Sequence, residues 1–132
     1  MKNNVLKMIK YLYYFSLILL LILYFFPGSL VGYILYGDFG RQPDFIHNPI
    51  GTSINHALAF LYLSTLGLIS HMRDKSFNQI TFFLLLLSIV LELCHYLIPN
   101  RSFEFLDLFA NLFGTLIAIF TIMFFKKYKR TL

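Results

Sequence analysis

Between Leu91 and Gly114 the chain carries Glu92, His95, Arg101, Glu104, Asp107 and Asn111, while the sequence on either side is almost pure hydrocarbon. Ionisable groups in such a setting are costly, which makes them candidates for a functional site rather than decoration. Three kinds of chemistry fit these residue types. A pocket with acidic, basic and aromatic walls suits a ligand that is part polar and part apolar. Glu92 with His56 or His95 suits general acid–base work, because burial makes a switchable carboxylate plausible. Glu92-x-x-His95 has the i, i+3 spacing found in carboxylate-bridged helical bundles, but those need two such motifs and this chain has one. His47 and His56 are the further imidazoles within reach of that idea. No metal and no cofactor are therefore expected. No nucleophile motif accompanies the acids, so an enzyme is not the expected reading either; if there is a reaction, Glu92 and His56 would carry it.

The elements that must position these groups follow from composition. The chain has 132 residues, of which 58% are hydrophobic and 13% charged, with no Trp, and its mean hydropathy is +0.72. Soluble domains are nearer ~45–50% apolar and ~25% charged. So few charges cannot cover a water-facing surface, and the expected fold is a single all-α integral membrane domain over residues 1–132. The lone Cys94 excludes an intramolecular disulfide and any multi-cysteine metal site, and it is expected as a small buried apolar filler.

Four transmembrane helices are expected in an antiparallel bundle, at about 8–26, 50–70, 77–98 and 103–125. The first, Met8 to Phe26, would be about 28 Å long, enough for a hydrocarbon core of ~30 Å. Its length and the following Pro27-Gly28-Ser29 favour an uncleaved anchor over a signal peptide. Residues 27–49 are rich in Gly and Pro and read as an irregular outer connection, in which Ser29 to Tyr36 either continues the first helix past a kink or lies in the interface with Tyr33 and Tyr36 as anchors. Pro99 ends the third helix, and Ser102 is placed to cap the fourth, with Glu104 in its first turn.

Basic residues orient the bundle. Lys2, Lys7 and Lys10 precede the first span, Arg73 and Lys75 sit in the middle turn, and Lys126, Lys127, Lys129 and Arg130 close the chain; only Arg41 and Arg101 lie in the other two connections. Nine against two is a strong positive-inside bias, so both termini are expected in the cytoplasm. These clusters flank apolar helices and form no stripe interleaved with exposed aromatics, so the bilayer is the expected partner and nucleic acid is not.

Helix geometry then assigns depth. His56, Glu92 and Asn111 would lie roughly 9–12 Å below the outer boundary, and His95 and Asp107 roughly 4–6 Å below it, with Arg101 at the rim. Asp107, Asn111, Gly114 and Ala118 follow i, i+4, i+7, i+11 along one stripe, and Ala110, Gly114 and Ala118 make a small-residue seam for helix packing. The plain alternative is that the polar groups only tie helices or partner subunits together, with Glu92 or Asp107 pairing with Arg101.

The pattern Glu92, Pro99, Arg101, Phe103, Asp107, Asn111 and Gly114 resembles the third-to-fourth helix signature of the VanZ-like family, roughly Glu-x-x-Gln, then Pro-x-Arg, then Asp, Asn and Gly. His56-Ala-Leu-Ala-Phe60-Leu-Tyr-Leu63 is similar to that family's second-helix motif, and the likeness covers about Asn48 to Ala118. His95 stands where the family usually has Gln, and Ser53-Ile54-Asn55 replaces a frequent Asp-Lys pair, which weakens inferences about charge partners of Glu92 and Asp107. The family is named for a membrane protein associated with low-level teicoplanin resistance. The resemblance implies a bacterial cytoplasmic membrane and an envelope-related task, and it assigns no catalytic residue. Polar depth and one-face spacing give the expected outward-facing pocket, His56, Glu92, His95, Arg101, Asp107 and Asn111, for an envelope lipid or cell-wall precursor.

Overall fold

The computed structural model describes residues 2–43 and 51–131, and every regular element among them is helical. The order is α1 (Lys2–Phe25), α2 (Leu30–Tyr36), α3 (Gly51–Ser70), α4 (Phe77–Cys94), a 3-10 turn (His95–Leu97) and α5 (Phe105–Thr131). Four of these, α1, α3, α4 and α5, are long and apolar enough to cross a membrane, which makes the chain a multi-pass membrane protein. Its surface agrees. Phe15, Ile18, Phe82, Phe109, Phe120 and Phe124 are exposed, while Ser64, Ser88, Glu92, Asn111 and Thr115 are fully buried. Only a solvent that is itself hydrocarbon favours that inversion.

The central element is α3, which packs on α1, α4 and, most extensively, α5. Small residues permit the last of these crossings. A Cβ on Gly114 would lie 2.2 Å from the Ala57 carbonyl oxygen and 2.9 Å from the Leu61 nitrogen, so the α5 backbone rests directly on that of α3. Along the same face Asp107, Asn111, Ala118 and Ile122 are buried and Ala110 is half-buried.

Side-chain contacts tie the two ends of the bundle differently. At one end Lys10 lies 3.5 Å from Asp74, and the Lys126 ammonium sits 3.6 Å over the Phe77 ring. At the other end, Arg101 donates from Nη2 to the Leu23 carbonyl at 2.8 Å and from Nε to that of Phe26 at 3.4 Å. Those carbonyls lie in the last turn of α1 and just beyond its end, where the break at Pro27 leaves acceptors without helical donors. The expected pairing of Arg101 with Glu92 or Asp107 is thus replaced by a backbone clasp.

Several boundaries differ from the sequence expectation. The first helix begins at Lys2 and stops at Phe25, before Pro27. The segment Ser29 to Tyr36 is neither an extension of it nor an irregular strap. It is a separate helix, capped at its start by the Ser29 hydroxyl, which accepts from Gly32 N–H, and at its end by Gly37 in the left-handed conformation, φ 70°. Tyr33 stacks on Phe39 at 4.1 Å, and the Arg41 guanidinium lies 4.0 Å over Tyr36. Both tyrosines remain exposed beside these partners. Ile50, and with it the expected start of the second span, lies outside the described residues, as do His47 and the last part of the outer connection. The third helix is α-helical only to Cys94, tightening to 3-10 and then to an extended Ile98, because the residue before a proline is driven out of the α region. Cys94 is half-buried rather than enclosed.

The fourth span starts at Phe105 and continues past Phe125 to Thr131. Ser102 does not cap it. The Ser102 hydroxyl approaches Glu104 Oε1 at 3.5 Å, and Leu108 N–H bonds the Glu104 carbonyl at 3.1 Å, so the helix opens from Glu104 and Asp107 is its first-turn acid. Glu104 N–H is bound from α4 instead, donating to Glu92 Oε1 at 3.3 Å.

Candidate functional site

The structure brings Glu92, His95, Asp107, Asn111 and His56 into one hydrogen-bonded cluster and adds Tyr24 from α1. Glu92 has no exposed surface. Its Oε1 accepts from His95 Nδ1 at 3.2 Å and from Glu104 N–H, and its Oε2 accepts from Asn111 Nδ2 at 3.3 Å. Three donors on two oxygens suit the ionised carboxylate, which can only accept. A charge at depth costs about 2.5–3.5 kcal/mol on insertion scales. Hydrogen bonds between membrane helices average about 0.6 kcal/mol and reach about 1.7, so three of them offset much of that cost.

Tyr24 closes the network. Its hydroxyl donates to Asn111 Oδ1 at 3.0 Å, and its ring stacks on His95 with 5.2 Å between centroids. With its one proton committed to Asn111, the Tyr24 oxygen must accept from His56 Nδ1, 2.8 Å away. His56 Nε2 then faces Asp107 Oδ2 at 3.5 Å, and Nδ1 also lies 3.7 Å from Glu92 Oε2, so one imidazole stands between two carboxylates. The second Asp107 oxygen accepts from the Ser53 hydroxyl at 2.5 Å. The depth layers expected from helix rise therefore merge: Asp107 lies beside His56, because α5 crosses α3 at backbone contact.

Beside this cluster is a cavity of about 300 Å³ between α1, α2, α3 and the α4–α5 connection. Its lining mixes aliphatic side chains, Leu20, Leu23, Leu30, Val31 and Ala59, with the polar Tyr24, Asn55, His56, His95 and Arg101. Two buried atoms of these polar residues, His95 Nε2 and Asn55 Oδ1, have no hydrogen-bond partner among the described residues. With Nδ1 turned to Glu92, Nε2 is the ring nitrogen of His95 left without a partner there. Arg101 reaches the cavity but not the carboxylates: burial lowers its pKa, and the nearby charges of Glu92 and Asp107 oppose that effect. It stays cationic, as guanidinium does in proteins. A second cleft, of about 680 Å³ between α3 and α5, is lined by Ile54, Ala57, Leu106, Phe109, Phe113 and other apolar side chains, with Ser53 as its polar member.

Sequence reasoning missed Tyr24 and Ser53. A tyrosine near the end of an apolar span reads as an interfacial anchor, and Ser53 stood out only as part of a missing charged pair. The signal for each was a hydroxyl at the depth of the acids, facing helices that carry buried acceptors. His47 lies outside the described residues. No protein-family model, curated protein or solved structure compared with the chain matches it.

Proposed function

We propose that this chain is a VanZ-like protein of the bacterial cytoplasmic membrane that binds an amphipathic envelope ligand, a lipid or a lipid-linked cell-wall precursor. In this reading the helices run antiparallel with both termini cytoplasmic, as the basic residues favour, and the cavity beside Arg101 opens toward the outer leaflet. The observation that carries the reading is the mixed lining of that cavity. Its aliphatic side chains suit an acyl or prenyl segment, and Tyr24, His56, His95 and Arg101 suit a polar headgroup. At about 300 Å³ the cavity is at the small end of ligand pockets, so it suits a headgroup with the first part of a chain and not a whole precursor.

The test uses the full chain in nanodiscs of bacterial lipid extract. Native mass spectrometry is expected to show one retained lipid per chain, lost or at least 10-fold weaker in Leu23→Trp, which fills the apolar wall, and in Arg101→Ala. Retention unchanged in both variants defeats the reading. Teicoplanin susceptibility of cells expressing the chain tests the envelope consequence: wild type raises tolerance and Arg101→Ala does not, and no effect of wild type removes glycopeptide resistance from the proposal. Labelling of single cysteines on a Cys94→Ala background tests orientation, with a probe at Asn100 modified from outside and one at Asp74 only after permeabilisation.

A second reading, an intramembrane acid–base enzyme acting on a lipid, is favoured by His56 standing between Asp107 and Glu92 at the edge of the cavity. It requires a product. Lipid extract incubated with the chain and analysed by mass spectrometry yields new species under this reading and none under simple binding.

A further inference from the structure

We infer that His56, Glu92 and Asp107 form a binding site for one divalent transition-metal ion, next to the ligand cavity. Each residue offers one ligand atom, and the three atoms lie within 4.8 Å of one another. A triangle with sides of about 3.5–4.8 Å holds an ion roughly 2.0–2.8 Å from its corners, so bonds of ~2.0–2.2 Å to nitrogen and oxygen need a closure of a few tenths of an ångström. Imidazole with carboxylate oxygen is a donor set for Zn²⁺ and its first-row neighbours rather than for Ca²⁺ or a thiophilic ion.

The surroundings are those of a metal site in three further respects. Every ligand residue is also held by a further group: Tyr24 meets His56 at Nδ1, His95 and Glu104 N–H hold Glu92, and Ser53 holds Asp107. Among the described residues no lysine or arginine forms an ion pair with either carboxylate, since Arg101 is bonded to the Leu23 and Phe26 carbonyls. A divalent ion supplies the missing charge where hydrocarbon makes any imbalance expensive. Finally, three protein ligands leave a coordination position open, the arrangement of sites that bind water or a ligand. His56 lines the cavity, and so does His95, whose buried Nε2 has no partner among the described residues. An ion here is positioned to meet a headgroup oxygen, yet the site stands on residues the lipid test leaves intact, so either proposal can fail alone.

The experiment uses full-length protein carrying a histidine-free tag, stripped with a chelator and titrated with Zn²⁺ and, separately, Mn²⁺. One ion per chain is expected, with affinity at least 10-fold weaker in Glu92→Gln and Asp107→Asn and unchanged in His71→Ala, a buried histidine at the other end of the bundle. X-ray absorption of the Zn²⁺-loaded wild type is expected to show only nitrogen and oxygen ligands, including one imidazole. Absence of saturable binding overturns the inference, as does binding that both carboxylate variants retain, or a spectrum with sulfur. Where the variants fail to fold, wild-type stoichiometry and spectrum decide.

Discussion

The two ends of the bundle each bury a histidine beside a tyrosine, and they solve the problem differently. At the end near Lys10, His71 Nδ1 lies 2.8 Å from the Ser70 hydroxyl and 2.9 Å from the Gly67 carbonyl, all within the last turn of α3. The Tyr13 hydroxyl, buried nearby, has no partner among the described residues, and toward the middle of the bundle a 3.3 Å bond runs from Ser64 on α3 to Thr115 on α5. At the Arg101 end, His56 reaches groups on α1, α4 and α5 and keeps two carboxylates company. Satisfaction within one helical turn needs no other element to be placed correctly. A cluster assembled from four elements fails if any one of them moves, and stability alone would be better served by hydrocarbon at those positions. The difference separates a polar group that is merely tolerated from one that is maintained.

Glu92→Ala should produce the largest contrast. It strands His95 Nδ1, Asn111 Nδ2 and Glu104 N–H, and breaking a buried charged network typically costs about 3–5 kcal/mol; Ser70→Ala, at the other end, should cost a few tenths. Thermal unfolding in detergent reads both, and equal costs break the distinction. Next comes the comparison of glycines. A Cβ at Gly114 meets α3 backbone, whereas one at Gly67 meets the Tyr13 ring at 2.9 Å and the Leu84 side chain at 3.2 Å. Overpacking of this kind costs about 1–3 kcal/mol, so Gly114→Ala should fall at or above the top of that range and Gly67→Ala near the bottom.

Tyrosine hydroxyl deletion gives a smaller effect with a difference in sign. Tyr24→Phe loses two hydrogen bonds, about 1–2 kcal/mol at membrane values, and Tyr13→Phe should be neutral or stabilising because a buried unpaired hydroxyl disappears. A melting temperature that falls equally in both would mean that Tyr13 is partnered after all. Smallest of all, Ser53→Ala removes one bond to Asp107, about 0.6 kcal/mol. Its stability change should be near the detection limit, and its Zn²⁺ affinity should fall 10-fold or more.

Composition and charge were enough to expect four long apolar helices, and one-face spacing was enough to group Asp107, Asn111, Gly114 and Ala118. What spacing could not convey is where one helix crosses another. Depth counted along single helices separated Asp107 from His56, yet the Gly114 contact draws α5 across α3 and closes that gap to 3.5 Å. Arg101 shows the same limit. Its charge suggested a carboxylate partner, but the nearest acceptors for it were exposed by a proline break 74 residues earlier, and broken-helix carbonyls leave no trace in residue type. Glu92 likewise looked like one half of a pair, when its principal donors include a main-chain N–H that any residue at 104 other than proline would supply.

The Arg101 clasp has a kinetic meaning. α1 packs chiefly on α3, and its final turn is fastened to the α4–α5 connection by one guanidinium making two bonds, beside the mouth of a cavity that α1 helps to wall. Opening that wall breaks this grip in addition to part of the packing of α1 on α3. Under the proposed ligand-binding reading the grip slows entry and escape of a guest, and a lysine at 101, with no fork to span both carbonyls, would shorten the guest's stay while leaving the walls it rests against unchanged.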